Sequence, residues 1–143
     1  MSHFELFLPF LQGKTSTAIG RRLEKKLRAA GIDMTQEQLS ILSVLWAQDG
    51  LGQYEICQLT YKEQSSVTRL LDNMEKSGWV LRTSHPNDRR SNLIFLTRKA
   101  NDHKRSIQLI AIQTLEESLA NISIDDILVC QRVLNQVFAN LQE

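Results

Sequence analysis

The stretch that decides the fold begins Glu63-Gln64-Ser65-Ser66-Val67-Thr68-Arg69-Leu70-Leu71-Asp72-Asn73-Met74-Glu75-Lys76-Ser77-Gly78 and continues Trp79-Val80-Leu81-Arg82. After it come His85-Pro86-Asn87-Asp88-Arg89-Arg90 and Asn92-Leu93-Ile94-Phe95-Leu96. Val67, Leu70, Leu71 and Met74 recur at the spacing of one helical face, so that face is expected in a core. Gln64, Ser65, Thr68, Arg69 and Asn73 are left looking outward. Gly78 suits the residue that stops a helix. Pro86 and Asn87 suit the central positions of a tight turn between two short strands.

Helix, glycine stop, strand, basic turn and strand together spell a winged helix. The outward face of the helix offers hydroxyls, amides and a guanidinium, the groups that hydrogen-bond base edges and phosphates in a major groove. Ordinary solvated surface is the competing reading of the helix alone. The turn adds weight to the first reading. Arg89 and Arg90 on a hairpin tip have no core to serve, and a protruding guanidinium suits the negative minor groove of A/T-rich DNA. Asp88 beside them can accept from backbone or from an arginine.

At 143 residues, 42% apolar and 23% charged, the chain fits one globular domain with helical extensions. No apolar run is long enough to cross a bilayer. Phe4 to Leu11 lacks the basic start and cleavage site of a signal peptide, so a cytoplasmic protein is expected. The formal net charge of +1 hides a division along the chain. Lys62 to Arg105 holds ten basic and five acidic residues, and the remainder seven basic and eleven acidic. The positive field is thus local to the helix and wing, as a face that meets phosphates requires. Cys57 and Cys130 stand in no metal-ligand spacing and read as reduced thiols. No metal or other cofactor is expected.

Toward the N-terminus, Phe4, Phe7, Leu8 and Leu11 suggest a short helix that Pro9 ends or kinks. Lys14 to Ala30 carries an apolar stripe of Ala18, Ile19, Leu23, Leu27 and Ala30 opposite Arg21, Arg22, Lys25 and Arg28, with Gly31 as its stop. Thr35 and Gln38 have capping-box spacing and open a helix anchored by Leu39, Leu42, Leu45 and Trp46. Asp49 to Gly52 ends it. A short helix from Gln53 to about Leu59 and a turn at Thr60 to Lys62 lead into the outward-facing helix, completing a helix-turn-helix. Thr97 caps a long helix to about Asn121, and Ser123 with Asp126 caps a last one.

The terminal helices carry more apolar surface than the winged module can cover. Phe4, Phe7, Leu8, Ile107, Leu115, Leu134 and Phe138 are therefore expected to meet a second copy of the chain, with an intrachain helical bundle as the alternative. The expected architecture is mainly α with a small β-hairpin wing. A winged helix-turn-helix module at 35–97 sits between helical dimerisation regions at 1–34 and 98–143, all one intertwined domain.

These residues resemble the MarR-type multiple-antibiotic-resistance regulators. The run Ser65 to Val80 looks like that family's recognition helix, Pro86-Asn87-Asp88-Arg89-Arg90 followed by Phe95-Leu96-Thr97 looks like its wing, and the other helices fit in order. The resemblance implies a homodimeric transcription factor, usually a repressor, on pseudo-palindromic promoter DNA, released by a small aromatic or phenolic effector or by thiol oxidation. It implies major-groove or phosphate contacts from Ser65, Ser66, Thr68 and Arg69, beside Gln64 on the same face. It also implies minor-groove contacts from Arg89 and Arg90 steadied by Asp88, with Glu63 as a further acidic support. Ala100 stands where the family commonly has glycine, and no cysteine precedes Cys57, which speaks against the family's peroxide-sensing branch. An effector would sit between dimerisation helices and winged module, with Phe10, Thr15, Ile19 and Trp46 as candidate lining.

Two rival classes remain. An enzyme finds no support in phosphate loops, metal-ligand pairs or nucleophile–base motifs. A winged-helix dimer that binds a protein partner, or a regulator responding through its thiols, fits the same elements.

Overall fold

The computed structural model describes residues 13–142, apart from the side chains of His85, Arg89 and Arg90. The expectations placed on Phe4, Phe7, Leu8 and Phe10 lie outside the described residues. Among the described residues, six helices and three strands follow in order: α1 Lys14–Ala29, α2 Gln36–Ala47, β1 Leu51–Gly52, α3 Gln53–Thr60, α4 Gln64–Lys76, β2 Val80–His85, β3 Asp88–Leu96, α5 Arg98–Ser118 and α6 Ile124–Asn140.

The helix starts are set by side chains. Thr35 and Gln38 cap each other's backbone in the reciprocal box expected at the head of α2. Thr97 accepts from Ala100 N–H at the head of α5, and Ser123 accepts from Asp126 N–H at the head of α6. Glycine governs two joints. Gly78 follows the end of α4 at φ 80°, where a side chain would strain the backbone. Gly50 has φ 73°, and a Cβ there would sit 2.8 Å from the Phe95 ring, so glycine lets the chain turn against the sheet.

That turn produces a strand the sequence does not announce. Leu51 and Gly52 pair antiparallel with Ile94 and Leu93, making the expected two-stranded wing a three-stranded sheet in the order β1-β3-β2. The β2–β3 register runs from Val80 opposite Leu96 to Ser84 opposite Asn92, then shifts so that His85 faces Asp88. Pro86 and Asn87 are left as a two-residue turn, the central positions expected of them, and Asp88 to Arg90 already belong to β3.

One apolar core runs through the described chain. Leu23 and Leu27 of α1, Ile41, Leu42 and Leu45 of α2, Ile56 of α3, the α4 stripe, Trp79, Val80, Ile94 and Ala100 all belong to it. The core therefore crosses the boundaries between the module and its flanking helices. The stripe from Lys14 to Ala30 is narrower than expected, since Ala18 of α1 and Ala30 at its C-cap are exposed. One expectation on α5 is corrected. Ile107, expected at a partner surface, is fully buried in the chain's own core, where α5 packs on α1 and β3. The surplus apolar surface begins farther along: Leu115, Leu119, Leu134 and Phe138 are exposed, and α6 has no buried residue. The described link from α6 to the module is an edge-to-face contact of Phe138 with Tyr61, ring centroids 5.4 Å apart.

Among the described residues, no helix is long and apolar enough to cross a membrane.

Candidate nucleic-acid interface

The outward face of α4 exists because its inward face is committed. Val67, Leu71 and Met74 are fully buried and Leu70 nearly so, which anchors the helix on the core along its whole length. Gln64, Ser65, Thr68, Arg69 and Asn73 then stand exposed, and Ser66 is half-buried. Among the described residues Arg69 has no ion-pair partner, so its guanidinium is available to a ligand. The five residues expected on this face are all exposed, and Ser66, implicated by the family resemblance, is partly covered.

The wing is held to that helix by a residue to which the sequence reading gives no role. Arg82 of β2 reaches back to α4, where its guanidinium donates to Asp72 Oδ1 and to the Thr68 carbonyl at 3.3 Å, with Glu75 Oε1 at 3.9 Å. Its backbone N–H donates to Glu75 Oε2 at 3.2 Å. The Arg82 side chain is only 18% exposed. Two of the five acidic residues in the basic stretch are thus consumed in fixing the angle between helix and wing, and the remaining cations keep their field. The only advance signal is the pairing of acidic residues on α4 with an arginine on the next strand.

Other contacts fasten the base of the wing. Asp49 Oδ1 accepts from Leu96 N–H at 2.9 Å, tying the end of α2 to β3. Thr97 Oγ1 donates to the Gly78 carbonyl at 2.6 Å. Lys99 donates to the Ser77 carbonyl and lies over the buried Trp79 ring, 4.3 Å from its centroid. At the tip, Ser91 donates to Asp88 Oδ2 at 3.1 Å. The backbone of Arg89 and Arg90 lies in β3, and what their side chains do lies outside the described residues.

Glu63 takes the position just before α4 without capping it through its side chain. It borders a shallow surface with Cys57 and Tyr61. Burial, with a smaller contribution from the Glu63 carboxylate, pushes the Cys57 thiol above its ordinary pKa. A thiol in that state carries little thiolate near neutrality.

Of the four residues expected to line an effector site, the three described ones, Thr15, Ile19 and Trp46, do not gather. Ile19 lines a groove of about 210 Å³ between α1 and α5 with Ala18, Arg22, Thr114, Glu117 and Ser118. Thr15 is exposed one turn earlier on α1 and is not in its lining. Trp46 is half-buried against the core, outside the groove, and its indole N–H is buried without a hydrogen-bond partner. At the groove edge Glu117 accepts from Lys26 and faces Arg22 at 3.8 Å, and these cations hold its carboxyl below the usual range.

A helix-turn-helix whose second helix bares a hydrogen-bonding face, braced against a three-stranded wing, defines the winged-helix DNA-binding fold of transcriptional regulators. Comparison with known proteins narrows this. The MarR family model matches residues 34–91, essentially the module between α1 and the wing tip. The solved structure of the transcriptional regulator PA3341 is 32% identical and superposes with a TM-score of 0.75, covering 94% of this chain and 97% of that one. The regulator YdgJ of Bacillus subtilis (strain 168) is 28% identical over 109 residues, 76% of this chain. The chain spans 64% of the length of YdgJ, under two thirds. A cysteine-to-serine mutant of MarR from E. coli, solved with operator DNA, shares the fold at a TM-score of 0.82 and 24% identity, covering 96% of this chain and 99% of that one. The chain belongs to the MarR family of transcriptional regulators, and its fold and family are those of regulators, not enzymes.

Proposed function

We propose that this regulator binds pseudo-palindromic promoter DNA as a homodimer and represses transcription until a small aromatic or phenolic effector lowers its affinity. The observation that carries the DNA reading is the exposed α4 face, with Arg69 free of ion pairs among the described residues, clamped by Arg82 beside a hairpin of basic sequence. In this reading α4 enters the major groove with Gln64, Ser65, Ser66, Thr68 and Arg69 toward bases and phosphates. Arg89 and Arg90 reach the adjacent minor groove from the wing, steadied by Asp88, with Glu63 as a further acidic support. The E. coli MarR mutant, alike in fold, is solved with operator DNA, which supports DNA binding by this chain.

Dimerisation is supported by the apolar face that α6 leaves uncovered in one chain: Leu128, Leu134, Val137 and Phe138 are all exposed. A second copy covers such a face with the same face, and the twofold arrangement sets two recognition helices about 34 Å apart, one turn of DNA. The helical flanks at 1–34 and 98–143 serve this pairing, and 35–97 serves DNA. The effector reading has its best support in the α1–α5 groove, where apolar Ala18 and Ile19 stand beside the cation of Arg22. A ligand there regulates by favouring one separation of the recognition helices over another. The raised pKa of Cys57 counts against thiol oxidation at that residue as the primary signal.

The test is an electrophoretic mobility shift on sequences selected from the chain's own genomic DNA, across a salt series and with aromatic acids added. Arg69→Ala and Arg90→Ala are each expected to lose about 1–3 kcal/mol of affinity. A protein-interaction module predicts instead no steep fall in DNA affinity with salt. Unchanged shifts for both variants would overturn the DNA reading.

A further inference from the structure

Gln53 opens α3, outside the recognition helix, yet its side chain reaches into the recognition face: Nε2 donates to Thr68 Oγ1. The Thr68 hydroxyl has one proton, and donates it to the Gln64 carbonyl 2.9 Å away. Oγ1 is therefore left to accept, which selects the NH2 end of the Gln53 amide and turns Oε1 away from it. Gln53 also borders a groove of about 380 Å³ with Gln64, Ser91, Asn92 and Leu93, between the start of α4 and wing strand β3. Its remaining acceptor and its second amide proton thus belong to the surface framed by recognition helix and wing. A carboxamide with one donor and one acceptor free complements N6–H and N7 of adenine in the major groove.

We propose that Gln53 is a base-reading residue, oriented by Thr68, that specifies one adenine in each half-site of the operator. The proposal rests on the DNA-binding reading above. It divides the labour on the helix. Thr68 spends its proton on the backbone and a lone pair on Gln53, so its main role is to set the orientation of the amide. The direct hydrogen bonds to the base come from the neighbouring helix. The chemistry also distinguishes Gln53 from a phosphate contact, because an anionic oxygen needs only donors and has no use for Oε1.

The test is enrichment of bound sequences from a randomised duplex library by the wild type, Gln53→Ala, Gln53→Glu and Thr68→Val, all first checked for the same thermal unfolding midpoint. The wild type is expected to enrich an adenine at one position of each half-site. Gln53→Ala is expected to lose preference at that position alone, with affinity for the wild-type consensus falling about five- to a hundredfold. Gln53→Glu keeps the shape but only accepts, so the preference shifts toward cytosine, whose N4 amino group donates. Thr68→Val releases the amide and loses the adenine as Gln53→Ala does. An unchanged consensus in Gln53→Ala overturns the role of Gln53. So does a uniform loss across all sequences with the salt slope reduced by about one, the behaviour of a phosphate contact. A wild type that enriches no motif sinks the DNA reading itself, so the two failures are told apart.

Discussion

The winged module and helix α6 are both rich in apolar side chains and put them to opposite ends. In the module the main apolar stripes close on one another: α4 rests on Val67, Leu71 and Met74, and Trp79, Val80 and Ile94 belong to the same core. α6 and its C-cap carry Leu128, Val129, Val133, Leu134, Val137, Phe138 and Leu141, and every one is exposed. The contrast teaches that the module's shape is complete in one chain, whereas α6 is half of something. A continuous exposed apolar face of this kind marks an interaction surface. Under the proposed pairing, mutations in the module alter what the chain recognises and those in α6 alter how many chains do the recognising.

Several substitutions press on that contrast, and the largest effect is expected on α6. Leu134→Asp combined with Phe138→Asp puts two charges on the uncovered face, and sedimentation velocity should find a monomer at micromolar concentration. Affinity for a palindromic duplex should fall by about a hundredfold or more, since one half-site is lost from the bivalent contact. The module's far-ultraviolet circular dichroism should stay intact. A variant that remains dimeric removes α6 as the pairing surface.

Ile107→Ala is next, and it separates the two regions along one helix. Because Ile107 lies fully inside the chain's own core, truncation should cost about 2–5 kcal/mol of folding stability, read from denaturant unfolding. Leu115→Ala, two turns later on an exposed site, should change stability little at concentrations where the chain is monomeric. Equal losses for the two would erase the boundary drawn between core and surplus surface.

Arg82→Met gives the smallest of these effects and tests the module from within. Its partners Asp72 and Glu75 are about half exposed, so the ion pairs should add no more than about 1 kcal/mol to stability. The angle of the wing depends on them more heavily. Affinity for operator DNA is expected to fall roughly tenfold, equivalent to about 1.4 kcal/mol. The slope of affinity against salt should stay at the wild-type value, because Arg82 touches carboxylates and no phosphate. A slope reduced by about one would recast Arg82 as a phosphate contact.

How much of this is legible in the sequence depends on how local the cause is. The α4 stripe, the Thr35–Gln38 box, the caps at Thr97 and Ser123 and the Gly78 stop are set within a few residues, and all stand where the sequence places them. β1 is not legible, since two residues are too short to show a strand's period and only the Gly50 turn against Phe95 brings them to β3. The burial of Ile107 is hidden for a related reason. Periodicity says that a face of α5 is apolar, but not that its first turns meet α1 and β3 while its last turns leave apolar side chains exposed. Arg82 with Asp72, and Gln53 with Thr68, are pairs between elements, 10 and 15 residues apart, that appear only once helix and sheet are packed.

The central claim is that two copies of this chain, joined through α6, present two winged modules to one DNA. The most direct measurement is the mass of the complex formed with a selected palindromic duplex, by sedimentation equilibrium at micromolar protein. Two chains per duplex is the predicted result. One chain per duplex, or no complex at low salt, would contradict it.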